Sequence, residues 1–170
     1  MTVAQGAFLA AFSLVNVALV VAAVVVVRNA RRMDGGTFVS WAILSRLGRL
    51  PAERSDVNRW AFYAHRISGI GIFLFICLHI IDVSLYAVSP SLYDEVHVLY
   101  GSAPMRVFEI GLLFALLFHA LNGLRVIAID VWDLGVRQAA RLLAVVTVVT
   151  AVLTAAGGVV ILAPLLTGTA

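Results

Sequence analysis

Cysteine is almost missing from this chain: Cys77 is the only one, and it falls inside an apolar run. One thiol cannot hold an iron–sulfur cluster, close a disulfide or build a CxxCH haem attachment. Lysine is absent altogether, so every basic residue is an arginine. Charged residues of all kinds reach only 12% against 62% hydrophobic, with a mean hydropathy of +1.04. A soluble domain of 170 residues needs far more polar surface than that. Also missing are a Gly-rich phosphate loop, a nucleophile elbow and paired catalytic carboxylates. Any redox chemistry here must therefore ride on a cofactor bound without covalent attachment.

What the chain has in abundance is long apolar runs. Four of them, at 7–27, 67–88, 107–129 and 142–166, match or exceed the ~20 helical residues that cross a bilayer. Helices are the expected form, because a backbone in lipid must satisfy its own hydrogen bonds. The sequence thus predicts an all-α transmembrane bundle of four helices in a single membrane domain over 1–170. The run at 7–27 has no charged residue before it and exceeds the roughly 7–15 apolar residues of a signal peptide, so it reads as a retained helix. Only Ser13 and Asn16 interrupt it, which predicts a place at the bundle's periphery.

The arginines set an expected orientation. Eight lie between Arg28 and Arg66, and Arg125, Arg137 and Arg141 surround the third connection. The second connection, "SPSLYDEVHVLYGSAPMR", carries Asp94 and Glu95 against Arg106 alone. The positive-inside rule then puts the first and third connections in the cytoplasm and both termini outside. The pI near 9.6 follows from this asymmetry and calls for no nucleic-acid partner. Within the 28–59 connection, "TFVSWAILSRLGRLP" mixes Phe38, Trp41 and Leu44 with Arg46 and Arg49. That suits a short interfacial helix ending near Pro51, and equally a solvated loop touching a partner.

Four histidines remain. His97 falls in the second connection, where no role is required of it. His79 and His119 lie within apolar runs, where polar groups are costly and tend to face a site. The ordinary alternative is an interhelical hydrogen bond. A neutral imidazole is also a good axial ligand for haem iron, and a b-type haem needs one from each side. Arg66 and Arg125 stand at helix ends, where cations for the propionates belong. At about 100° per residue, His65 and His79 fall within roughly 40° of one face, with Ser68 on or near that stripe. By helical rise, His79 lies about 21 Å from His65, and His119 about 16 Å from Asp130, which predicts little difference in height between His79 and His119. Gly69, Gly71, Gly111 and Gly123 would admit either a neighbouring helix or a flat cofactor.

Two stretches, "AHRISGIGIFLF" and "HALNGLRVIAID", resemble in combination the cytochrome b membrane-anchor subunit of succinate dehydrogenase and fumarate reductase, respiratory complex II. The resemblance covers about 60–136 and rests on His-Arg-x-Ser-Gly followed by His-x-x-x-Gly-x-Arg-x-x-x-x-Asp. It implies that 60–166 form the family's three core helices and that the helix at 7–27 is an addition. It implies His119 as a haem ligand, Arg66 beside His65 near the propionates and inner quinone pocket, and Arg125 with Asp130 at the charged end. Many ubiquinone-using relatives carry a serine three residues before the motif histidine, where this chain has Phe62. Relatives with two haems place a ligand in the outer half of the first core helix, where His79 stands.

The expected function is a haem b membrane anchor of a succinate:quinone oxidoreductase in the cell membrane. Such an anchor passes electrons from an iron–sulfur subunit to quinone, and the machinery for succinate itself lies elsewhere. A flavoprotein subunit with FAD, an iron–sulfur subunit and a second anchor supplying opposing haem histidines are the implied partners, in a complex open to higher oligomers. Two haems and menaquinone are favoured, with Ser68, Asp82 and Glu109 marking candidate quinone regions. Two rivals stand: a fumarate reductase anchor running in reverse, and a haem-free structural anchor or small transporter.

Overall fold

A computed structural model describes residues 1–33 and 54–167, with side chains over 1–29 and 60–167. All regular elements among them are helical. They are α1 (Val3–Met33), α2 (Arg54–Val88), the short α3 (Pro90–His97), a 3-10 turn (Val98–Gly101), α4 (Ala103–Val131) and α5 (Val136–Thr167). Four helices are long and apolar enough to cross a membrane: Val3–Asn29, Trp60–Val88, Ala103–Val131 and Val136–Thr167. The chain is therefore the four-helix membrane bundle that its apolar runs predict. The proposed interfacial stretch at 37–51 lies outside the described residues.

Local chemistry explains where the helices stop and start. Ser89 is extended and its hydroxyl accepts from the Leu92 amide, while Pro90 fills the first turn, so a new helix begins at once. The second connection is thus mostly helical, where hydropathy alone suggests a loop. After α4, Asp133 takes a left-handed conformation with φ 47°, and the Leu134 amide donates to the Ile129 carbonyl. This closes a Schellman turn and sends α5 back along α4.

Apolar burial drives little between helices in lipid, so close packing and polar contacts hold them. On α5, Gly157 admits Leu113 of α4 and Gly158 admits Ile110. Near the start of α5, buried Arg125 of α4 donates to the Ala139 carbonyl at 3.1 Å. Helix α1 lies along α2 at the edge, with Leu14, Val17 and Val20 exposed for lipid. Its N-terminal end is not peripheral, however. Phe8 is buried against Leu78, Val96 and Met105, forming the core cluster of the bundle. Gln5 donates to the Glu95 carbonyl at 3.1 Å, so the start of α1 and the α3 segment share one end of the molecule. The α4–α5 turn marks the other end.

This layout corrects one expectation. His65 lies eleven residues inside the start of α2 and His119 twelve residues before the end of α4. Both therefore stand roughly 16–18 Å from the turn end, at one level. His79 is about 21 Å further along α2, so it and His119 differ greatly in height. The expected small separation came from setting His65 level with Asp130, whereas α2 continues as helix back through its polar segment to Arg54.

Candidate functional site

Two polar loci occupy the bundle. The first is where α2 meets α4. The His65 and His119 rings stack with centroids 3.9 Å apart and planes only 4° from parallel. Nitrogen lone pairs lie in the ring planes, so stacked rings cannot grip one metal ion from opposite sides. His65 instead buttresses His119. The His119 Nδ1 lies 3.0 Å from the His65 carbonyl oxygen and 3.3 Å from Ser68 Oγ. A carbonyl only accepts, so Nδ1 must carry the proton and donate. Nε2 is then the lone-pair nitrogen, the state an iron-ligating imidazole requires.

An open groove of ≈540 Å³ runs past these rings, lined by Val26, His65, Arg66, Gly69, Ile70, Phe73 and His119. Its wall is apolar apart from the two imidazoles and one guanidinium. Among the described residues, no three His, Cys, Asp or Glu side chains converge on a bare metal ion. A single available imidazole fits a metal that brings its own equatorial ligands, which is what haem does. The exposed Arg66 guanidinium sits 4.4 Å from the centre of the Phe62 ring, held over its face. The Phe62 ring thus supports the Arg66 guanidinium.

Arg125 does not join this groove. It is 7% exposed at the α4–α5 interface, where it also donates to Asn122 Oδ1 at 3.3 Å. Its contacts there are those of an interhelical clamp. Gly123 faces the His65 ring at 3.5 Å, and Gly71 faces Leu19 of α1 instead.

The second locus lies at the α3 end. A chamber of ≈250 Å³ is lined by His79, Asp82, His97, Tyr93, Tyr100 and Glu109, and closed by Phe8, Phe12 and Phe108. Sequence reasoning singled out His79, Asp82 and Glu109, and the fold brings them to one space. It missed Tyr93, Tyr100 and His97, which arrive through α3 and the following turn. The signal available was their spacing, since Tyr93, His97 and Tyr100 recur at helical intervals. Their rings meet in sequence, Tyr93 with His97 at 4.9 Å and His97 with Tyr100 at 5.1 Å. Asp82 is 3% exposed, accepts from the Tyr100 hydroxyl at 2.9 Å through Oδ2, and has no partner for Oδ1. Burial, then the bond to Asp82, holds the Tyr100 phenol well above its ordinary pKa, so Tyr100 serves as a neutral donor.

His65, Arg66 and His119 of the first locus lie inside the stretch that matches a known family. Residues 45–157 match the family described as the succinate dehydrogenase/fumarate reductase transmembrane subunit. The chain is also 40% identical over 117 residues to the succinate dehydrogenase 2 membrane subunit SdhC of Mycobacterium tuberculosis, a match covering 67% of this chain and 86% of that one. The family match begins after α1 and takes in α2 through most of α5. With 113 of its 170 residues inside that match, the chain belongs to the transmembrane anchor subunits of the succinate dehydrogenase and fumarate reductase family.

Proposed function

We propose that this chain is the haem b-binding anchor of a succinate:quinone oxidoreductase, conducting electrons from the iron–sulfur subunit to membrane quinone. The observation that carries the reading is His119, fixed through Nδ1 so that Nε2 is the ligand atom, beside Arg66 on an open apolar groove. Bound there, a b-type haem supplies a one-electron relay within the membrane. His119 would hold the iron through Nε2, with His65 supporting its ring. Arg66, held over the Phe62 ring, would pair with the propionates. A second anchor subunit would cover the groove and supply the other histidine, because the stacked His65 cannot. The flavoprotein and iron–sulfur subunits, carrying FAD and the clusters, dock at the arginine-rich end, which faces the cytoplasm.

Replacing His119 with Leu in the assembled complex should abolish or strongly perturb one b-haem band in the reduced-minus-oxidised spectrum. Succinate oxidation with artificial acceptors should persist. Unchanged haem per flavin would refute the assignment.

A second site is supported by the α3-end chamber. There His79 is a candidate ligand for a second haem, with Asp82 and Glu109 as proton-handling groups for a quinone reduced near the outer face. A low-potential quinone such as menaquinone suits that placement. The family description spans both directions of the reaction, so succinate and quinol assays on one preparation decide between oxidation and fumarate reduction.

A further inference from the structure

The atoms around His119 form a closed set that involves Ser68, a side chain the sequence marks for a quinone region and the proposed function leaves unused. Ser68 Oγ donates to the His65 carbonyl at 2.9 Å, which uses the only hydroxyl proton. Its lone pairs then face the His119 Nδ1–H at 3.3 Å, while the same Nδ1–H lies 3.0 Å from that carbonyl. The proton is shared between two acceptors on one turn of α2. In the other tautomer, the bare Nδ1 would meet the carbonyl oxygen lone pair against lone pair, leaving Nε2 blocked by its own hydrogen. The carbonyl belongs to the backbone, so Ser68 is the part of this lock that substitution can remove.

The next residue sets the distance. A Cβ placed on Gly69 would lie 2.7 Å from His119 Cε1 and 3.2 Å from its Nδ1. Contacts that short require the ring to move. Its freedom is limited, since His65 covers one face at 3.9 Å. Only glycine lets the imidazole come close enough to α2 to reach both acceptors.

We propose that Ser68 and Gly69 are positioning residues for His119: with the tautomer set by the His65 carbonyl, the hydroxyl is a second acceptor for Nδ1–H that strengthens Nε2 as a donor, and the missing side chain admits the ring. The inference rests on His119 being a haem ligand. A hydrogen bond accepted from Nδ1–H makes the ligand more basic. A more basic ligand favours ferric over ferrous iron, so losing the bond should raise the midpoint potential.

The test uses the assembled, purified complex, with haem per flavin, the reduced-minus-oxidised spectrum and a redox titration for each variant. Ser68→Ala should shift one haem midpoint upward, and Ser68→Thr, which keeps the hydroxyl, should restore it. Gly69→Ala should lower haem per flavin or alter the band. Controls are Ser84→Ala, whose hydroxyl bonds the Ile80 carbonyl on the same helix, and Gly101→Ala, where a Cβ meets nothing within 4 Å. Both should match the unmodified complex. If His119→Leu keeps its haem, the ligand assignment itself fails. If His119→Leu loses haem while Ser68→Ala keeps an unshifted potential and Gly69→Ala an unaltered spectrum, the positioning role alone is overturned.

Discussion

Two arginines of one motif, Arg66 and Arg125, carry the same charge into different work. Arg66 is exposed and rests on the Phe62 ring, an interaction worth about 0.5–1 kcal/mol at exposed sites. Arg125 is buried with hydrogen bonds to Ala139 and Asn122, and removing it strands the buried Asn122 oxygen at about 1–3 kcal/mol. The two should therefore fail differently. Arg66→Leu should lower haem retention or quinone reductase activity well beyond a matched change at Arg28, with thermal stability little altered. Arg125→Leu should lower the unfolding temperature of the detergent-solubilised complex while haem per flavin at low temperature stays near normal. Loss of haem without loss of stability in Arg125→Leu would return it to the cofactor site. The sequence places both residues at helix ends as cations for a cofactor, but does not show which neighbour satisfies each. That depends on the rotation of α4 against α5, which Gly157 and Gly158 set from fifteen or more residues beyond the α4–α5 turn.

Among the elements, the four spans were legible because apolar length is a local signal. The α3 segment was less so, since Tyr93, Asp94 and Glu95 suppress its hydropathy although Ser89-Pro90 announces a helix start. The level of His119 was legible only with both helix ends known. The edge position of α1 is legible from its uniform apolar face, but the anchoring of its N-terminal end is not. Most of its length faces outward, yet Phe8 and Phe12 meet Tyr100 at 5.6 Å and Phe108 at 4.6 Å. That end walls the α3-end chamber, whereas the His119 groove takes only Val26 from α1. Phe8→Ala with Phe12→Ala should therefore spare the spectrum and potential of the haem assigned to His119. The same pair should destabilise the complex and perturb any signal assigned to His79. Equal damage at both would mean that α1 supports the whole bundle.

Across the whole molecule, the two loci stand about 21 Å apart along α2, one at the level of His65 and one around His79. They are chemically unlike. The groove at His119 is open and apolar, with one imidazole available and one arginine. The chamber at His79 holds two carboxylates, two phenols and a second histidine, and Asp82 keeps an unpartnered oxygen in its wall. Among the described residues, Arg66, Arg125, Arg137 and Arg141 lie toward the other end of the bundle from this chamber. Arg106 pairs with Glu109 at 3.4 Å, so among the described residues the carboxylate there without an ion pair is Asp82. An iron near it would feel negative charge that stabilises its ferric form, whereas an iron beside Arg66 would feel the reverse. Two haems in these places should therefore differ in midpoint potential, the His79 site lying lower. Charge moved between the levels also crosses part of the membrane potential, worth about 2.3 kcal/mol per unit charge for the full width at 100 mV. Under the proposed function, that coupling would assist a poorly driven step such as menaquinone reduction by succinate. His79 is exposed on α2 with its ring on Phe75 at 5.6 Å, open to a ligand shared with a second subunit. A redox titration of the unmodified complex should resolve two b-haem components, and His79→Leu should remove the lower one while leaving the His119 component in place. A single component titrating with one haem per flavin would eliminate the second site.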